Sequence, residues 1–100
     1  GSGMGTTLNI GIGMNAYVLS DRATWISFGN KANHKILVEG DTALHNQYGV
    51  ISINAAKHPR VNARDAQTFV DWITGPRGQA AIGEFKPGGT QLFFPNSRPR

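Results

Sequence analysis

At 100 residues, of which 39% are apolar, the chain is long enough for one domain with a small hydrophobic core. It contains no cysteine, which excludes disulfides, thiolate catalysis and cysteine zinc sites. Ten basic residues against six acidic ones give a net charge of +4, but they are scattered, so they favour an anionic partner only weakly and lack the basic patch typical of nucleic-acid binders.

The first predicted element is a helix over about residues 4–14. Leu8, Ile12 and Ala16 lie four residues apart, as on one face of a helix. Apolar residues in this stretch also alternate as in a strand, and two glycines weaken both interpretations; the helix is favoured. Residues 16–20 then predict a short buried strand.

Ser20 or Asp21 is a suitable N-cap for a helix carrying Arg22 to Phe28. Further along, Asn62 is suited to cap a helix over residues 63–74, and Pro76 suits the first turn of another helix. Three more strands are predicted, over residues 36–41, 48–56 and 91–96. Strands that alternate with helices indicate the α/β class.

Neither a metal site nor an enzyme is predicted. The three histidines fall in predicted loops and lack a second histidine or cysteine at ligand spacing. Glu39 and Asp41 suit a turn at the end of a strand better than a catalytic carboxylate pair. No nucleophile motif such as Gly-x-Ser-x-Gly occurs.

Two segments suit an anion. Residues 1–7, GSGMGTT, offer backbone N–H groups at a helix start together with hydroxyls, and residues 20–24, SDRAT, offer a second helix start and Arg22. A tetrahedral oxyanion requires several such donors. The residues leave an alternative open, in which Ser20 and Asp21 only cap a helix and Arg22 pairs with Asp21 or another acid.

Five segments together resemble the C-terminal part of the tungstate-binding proteins of bacterial ABC transporters, which are periplasmic solute-binding proteins. They are GMGTTL, AYVLSDRATW, ILVEGD, HNQYGVISINAAKHP and FVDWITGPRGQAAI. The resemblance runs from about Gly3 to Asn96. Its specific part is Ala16–Pro59, since many solute-binding proteins carry a helix similar to FVDWITGPRGQ.

The resemblance implies part of a periplasmic-binding-protein type II fold, a three-layer α/β lobe whose mixed sheet is flanked by helices. Residues 1–100 would form a single domain, the C-terminal fragment of a longer two-lobe protein that closes on its ligand. Residues from about 3 to 35 would belong to the second lobe. Residues from about 36 to 96 would supply crossing strands and the return to the first lobe.

The implied function is capture of tungstate or molybdate, the transported ligand, for delivery to an ABC permease, without catalysis or a cofactor. The chain would hold only part of the site, so on its own it is expected to bind oxyanion weakly or not at all. The implied oxyanion-binding residues are Gly3, Met4, Gly5, Thr6, Ser20, Asp21, Arg22 and Thr24.

Two other functions are kept as alternatives. One is a stand-alone interaction or regulatory domain that reuses the fold and dimerises through the apolar surface left by a missing lobe. The other is a small basic nucleic-acid binder, although no nucleic-acid partner is expected. A full-length family member would be periplasmic, but the chain shows neither a signal peptide nor an apolar stretch of about 20 residues.

Overall fold

The computed structural model describes residues 1–98, and over this range its regular structure is helical. The four α helices are α1 (Met4–Gly13), α2 (Arg22–Ser27), α3 (Ala63–Thr74) and α4 (Pro76–Glu84), and short 3₁₀ turns occupy Thr42–Leu44 and Pro87–Gly89. The chain divides into two compact units, Gly1–Gln47 and the residues from Tyr48 onward. The predicted single domain, with its lobe boundary near residue 35, stays a prediction.

The first unit is built on α1, which confirms the helix predicted over residues 4–14. Leu8 and Ile12, on one face, are buried. Gly11 lies on the same helix and faces Val18, so closely that a Cβ added to this glycine would stand 2.1 Å from Val18 Cγ2. The helix therefore packs tightly against the segment that follows it, and it also contacts α2.

The helix α2 begins and ends with specific caps. Of the two predicted candidates, Ser20 and Asp21, the N-cap is Asp21, and its side chain accepts a hydrogen bond from the Thr24 backbone N–H. At the other end, the Lys31 ammonium donates to the carbonyls of Phe28 and Ile26 and lies 5.0 Å from the centroid of the Trp25 ring. Since α2 has six residues and none is buried, these caps hold it in place.

The second unit contains α3 and α4, and both boundaries predicted from the sequence are confirmed. Asn62 caps α3 by accepting a hydrogen bond from the Asp65 N–H at 3.0 Å, and Pro76 occupies the first turn of α4. Gln79 on α4 donates to the Ile73 carbonyl at 2.7 Å and accepts from the Ser97 N–H at 2.9 Å. This amide thus ties the C-terminal segment to both helices.

The apolar face predicted for α3 is only partly correct. Val70 is buried, together with Leu92 of the same unit. Phe69 and Trp72 are 54% and 46% exposed, and their ring centroids lie 6.4 Å apart. These two rings contact one another while they stay largely open to solvent.

The predicted sheet is not confirmed, because no strand is present in residues 1–98. The segments predicted as strands carry exposed apolar side chains, among them Tyr17 at 92% and Ile51 at 90%. A strand is stable only when a neighbouring strand pairs with its N–H and C=O groups, and the described residues supply no such ladder. Most apolar side chains of these runs therefore stay exposed, with Leu92 as a buried exception, and only the helical part of the α/β prediction is observed. Across the same range, none of the helices combines the length and the hydropathy that crossing a membrane requires.

Candidate functional site

The first group of predicted site residues forms the start of α1. Gly3 is the N-cap and has extended backbone angles, and no side chain of the described residues caps the helix there. Nothing lies within 4 Å of the position that a Cβ would take at Gly3 or Gly5, so a ligand can approach the backbone closely. The first turn of α1 therefore presents N–H groups in an open position, which suits an anion.

Hydroxyls flank this helix start. Thr6 is exposed, whereas the hydroxyl of the following Thr7 donates back to the Gly3 carbonyl at 3.0 Å. Met4 is half-buried. Of the two threonine side chains, Thr6 is thus the one that faces solvent.

The second group lies at the start of α2 and is internally hydrogen-bonded. Oδ2 of Asp21 accepts from both the backbone N–H and the hydroxyl of Thr24, at 3.0 and 2.9 Å. The Ser20 hydroxyl donates to the Asp21 carbonyl at 2.9 Å. Because a hydroxyl has one proton, the Ser20 and Thr24 hydroxyls must each rotate away from their present acceptors before they can donate to an anion.

Arg22 forms an ion pair that the sequence left open. Its Nη1 lies 3.3 Å from Oε2 of Glu39, and the two side chains are 39% and 64% exposed. Glu39 precedes a turn in which Gly40 has a φ of 78° and Asp41 accepts a hydrogen bond from the Ala43 N–H at 2.8 Å. Arg22 therefore pairs with Glu39, and the carboxylate of Asp21 caps α2.

The two groups lie on helices that pack against each other within the first unit. The Asn30 amide also donates to the Asn9 side chain at 3.2 Å, which links α1 to the loop after α2. Two clefts of the described chain lie elsewhere. One of about 310 Å³ in the first unit and one of about 440 Å³ in the second include none of the predicted site residues in their lining. In the described chain the predicted residues are exposed or half-buried, and neither of these clefts contains them.

Sequence reasoning missed two partners. It placed Glu39 in a turn but did not pair it with Arg22, and it considered His34 only as a metal ligand. The Nε2 of His34 instead donates to the Ala16 carbonyl at 3.0 Å. Both contacts join residues that are 17 or 18 positions apart, which no local pattern reveals. Within residues 1–98 no group of three or more histidine, aspartate or glutamate side chains is arranged to hold a metal ion.

The known proteins to which this chain is similar are anion-binding proteins by name. A model of the PBP superfamily domain matches residues 1–77. The tungstate-binding protein TupA of Peptoclostridium acidaminophilum is 41% identical over an aligned length of 99 residues, which covers 97% of this chain and 35% of the relative. A Haloferax volcanii protein described as an ABC transporter anion-binding protein is also 41% identical, over 97% of this chain and 30% of its own length.

The tungstate-binding protein TupA of Campylobacter jejuni is 32% identical over all of this chain and 39% of its own length. The chain thus spans about a third of the length of these curated relatives. No solved structure matches it significantly. Because the family model covers 77 of the 100 residues, the chain belongs to the PBP superfamily, the periplasmic-binding proteins.

Proposed function

We propose that this chain is the C-terminal portion of a solute-binding protein that captures a tetrahedral oxyanion, tungstate or molybdate, for an ABC permease in the periplasm. The observation that carries this proposal is the relative named a tungstate-binding protein, which is 41% identical across 97% of the chain. The alignment with this relative extends over nearly the whole chain and is not confined to one element of it.

The start of α1 supplies the first set of donors. Gly3, Met4 and Gly5 present backbone N–H groups next to open space, and Thr6 adds an exposed hydroxyl. Uncharged donors suit a dianion, because several of them share its charge without the need for a buried counter-ion.

The start of α2 supplies the second set. Arg22 brings the one full positive charge of the predicted site, and the half-buried Ser20 and Thr24 bring hydroxyls that donate to an anion once they rotate away from Asp21. Asp21 acts indirectly, since its carboxylate fixes the first turn of α2 on which Arg22 lies. A carboxylate placed against the anion itself would repel it.

Calorimetry with sodium tungstate tests this proposal on two samples, the protein at its full natural length and the 100-residue chain. We expect the full-length protein to bind with a Kd below about 1 µM and the 100-residue chain to bind much more weakly, because an open surface leaves the anion hydrated. Absence of binding by the full-length protein overturns the proposed function. Submicromolar binding by the 100-residue chain overturns the view that it holds only part of the site.

Substitution then assigns the donors. Arg22→Gln removes the guanidinium and should weaken tungstate binding at least about tenfold, as expected for the loss of a charge-assisted hydrogen bond. Arg64→Gln, which makes the same charge change on the exposed surface of α3, is the matched control and should leave the affinity within about twofold. If both substitutions weaken binding equally, Arg22 acts only through the net charge of the protein and does not contact the anion.

A second candidate function is a stand-alone interaction domain that pairs with a second copy of itself. The exposed apolar side chains of the segments predicted as strands favour it, because identical segments can pair edge to edge and bury them. Analytical ultracentrifugation of the 100-residue chain should then show a dimer that Ile51→Lys dissociates. A monomer at high concentration excludes this function.

A further inference from the structure

We propose that Glu39 competes with the oxyanion for Arg22. The Glu39 carboxylate pairs with the Arg22 guanidinium while the site is empty, and the oxyanion replaces it on binding. This proposal rests on the proposed function and adds a residue to it. The sequence placed Glu39 outside the site, and only the fold brings it beside Arg22.

The contact is of a kind that exchanges readily. Nη1 of Arg22 and Oε2 of Glu39 lie 3.3 Å apart, which is longer than the roughly 2.7–2.9 Å of a strong charge-assisted hydrogen bond. Both side chains are partly exposed, at 39% and 64%, so water and salt screen their attraction. A residue whose purpose was to hold Arg22 rigidly would be buried and would grip the guanidinium with both oxygens.

The backbones on the two sides are held, so the exchange involves side chains alone. Arg22 follows Asp21, whose carboxylate fixes the first turn of α2 through Thr24. Glu39 precedes Gly40, which has a positive φ of 78°, and Asp41, which caps the next 3₁₀ turn. Release of the guanidinium from Glu39 therefore leaves both segments in place.

The charges set the direction of the exchange. Glu39 carries one negative charge, whereas tungstate carries two and has four oxygens that accept hydrogen bonds. The dianion therefore attracts the guanidinium more strongly than the carboxylate does at the same distance and screening. Competition therefore lowers the affinity of the site for the oxyanion.

The experiment compares tungstate affinity across five forms of the full-length protein, the parent, three single variants and one double variant, by calorimetry at low ionic strength. Glu39→Gln keeps the shape of the side chain and removes its charge, and it should tighten binding about fivefold. Glu84→Gln is the matched control, because it changes the net charge equally from an exposed position on α4, and it should have less than about a twofold effect.

The double variant Arg22→Gln/Glu39→Gln separates competition from simple repulsion. If Glu39 acts by holding Arg22, its substitution gives no gain once Arg22 is absent. A gain that persists in the Arg22→Gln background shows repulsion through space and overturns the proposal. So does unchanged or weakened binding in Glu39→Gln, or an equal gain in Glu84→Gln.

A spectroscopic reading covers the case in which Arg22→Gln binds too weakly for calorimetry. The NMR signal of the Arg22 Nε–H group should shift on Glu39→Gln in the absence of tungstate, and the Glu84→Gln control should leave it unchanged. If the chemical shift of the Arg22 Nε–H group is unchanged in Glu39→Gln, the proposal is overturned. If the parent protein fails to bind tungstate, both the proposed function and the proposed role of Glu39 are overturned. If the parent binds tungstate but the Glu39 variants behave otherwise than expected, only the role of Glu39 is overturned.

Discussion

Thr24 is joined to Asp21 twice, because its backbone N–H and its hydroxyl both donate to the same carboxylate oxygen, at 3.0 and 2.9 Å. This double contact matters because α2 has six residues and buries none of them. Packing cannot hold so short a helix, and an isolated helix of this length is unstable in water. The direction in which Arg22 leaves the backbone therefore depends on the Asp21 cap.

The first prediction concerns this cap. Asp21→Ala removes both hydrogen bonds and should destabilise α2 by about 1–2 kcal/mol, the usual cost of losing an aspartate N-cap. Thr24→Val removes only the hydroxyl bond and should cost about 0.5–1 kcal/mol. Amide hydrogen exchange at Trp25, whose N–H donates to the Asp21 carbonyl, measures both effects. Thr24→Ser, which keeps a hydroxyl, is the control, and a Trp25 amide as protected in Asp21→Ala as in the parent would contradict the prediction.

The second prediction uses two glycines of α1 that differ only in their surroundings. Gly11→Ala should destabilise the first unit by about 1–3 kcal/mol, because the new Cβ would lie 2.1 Å from Val18 Cγ2. Gly13→Ala meets nothing within 4 Å and should be neutral or stabilise the helix by up to about 1 kcal/mol. Denaturant unfolding followed by the fluorescence of Trp25, in a Trp72→Phe background, measures both.

The clash at Gly11 also predicts its own rescue. Val18→Ala removes the methyl group that the new Cβ would meet, so Gly11→Ala should cost clearly less in the Val18→Ala background than in the parent. If Gly11→Ala destabilises the protein equally in the two backgrounds, Gly11 is required for a reason other than its contact with Val18. The close approach of α1 to residue 18 would then not account for the loss of stability.

The helices were predictable from the sequence because their signals are local. Asp21, Asn62 and Pro76 each stand at a helix start, and each acts on residues within one turn of itself. The strands were not predictable in this way, because a strand is stabilised by hydrogen bonds to a partner strand that can lie anywhere in the sequence. Runs such as residues 36–38 indicate a need for burial, but they do not say which surface provides it.

The site divides in the same way. That the segment SDRAT begins a helix was evident from its residues, and the chemistry of short polar side chains limited the cap to Ser20 or Asp21, of which the structure shows Asp21. The Glu39 partner of Arg22 was not evident, since the two lie 17 positions apart and the chain between them turns through Ala32, which has a positive φ of 48°. Hydroxyl orientation is also beyond sequence patterns, and here it directs the protons of Ser20 and Thr24 into their own segment.

The third prediction concerns the junction of α3 and α4. Gly78→Ala should destabilise the second unit by about 2–3 kcal/mol or more, because its Cβ would lie 2.2 Å from the Trp72 carbonyl oxygen and 2.7 Å from Ile73 Cα. These are backbone atoms, so no side-chain rotation relieves the clash. Ala80→Gly, at an exposed position of α4, is the control and should cost only the helix propensity of about 1 kcal/mol. Unfolding followed by Trp72 fluorescence in a Trp25→Phe background measures both, and similar costs would argue against close packing of the helices.

The fourth prediction concerns His34, whose Nε2–H donates to the Ala16 carbonyl at 3.0 Å. This hydrogen bond ties the loop after α2 to the segment that leaves α1, so His34→Ala should destabilise the first unit by about 1 kcal/mol. His58→Ala, at an exposed position in the second unit, should stay within about 0.5 kcal/mol of the parent. Denaturant unfolding of both variants provides the comparison, and NMR of the imidazole should show Nε2 protonated in the neutral ring. A neutral ring protonated at Nδ1 would mean that Nε2 cannot donate to Ala16, and His34 would then be an ordinary surface side chain.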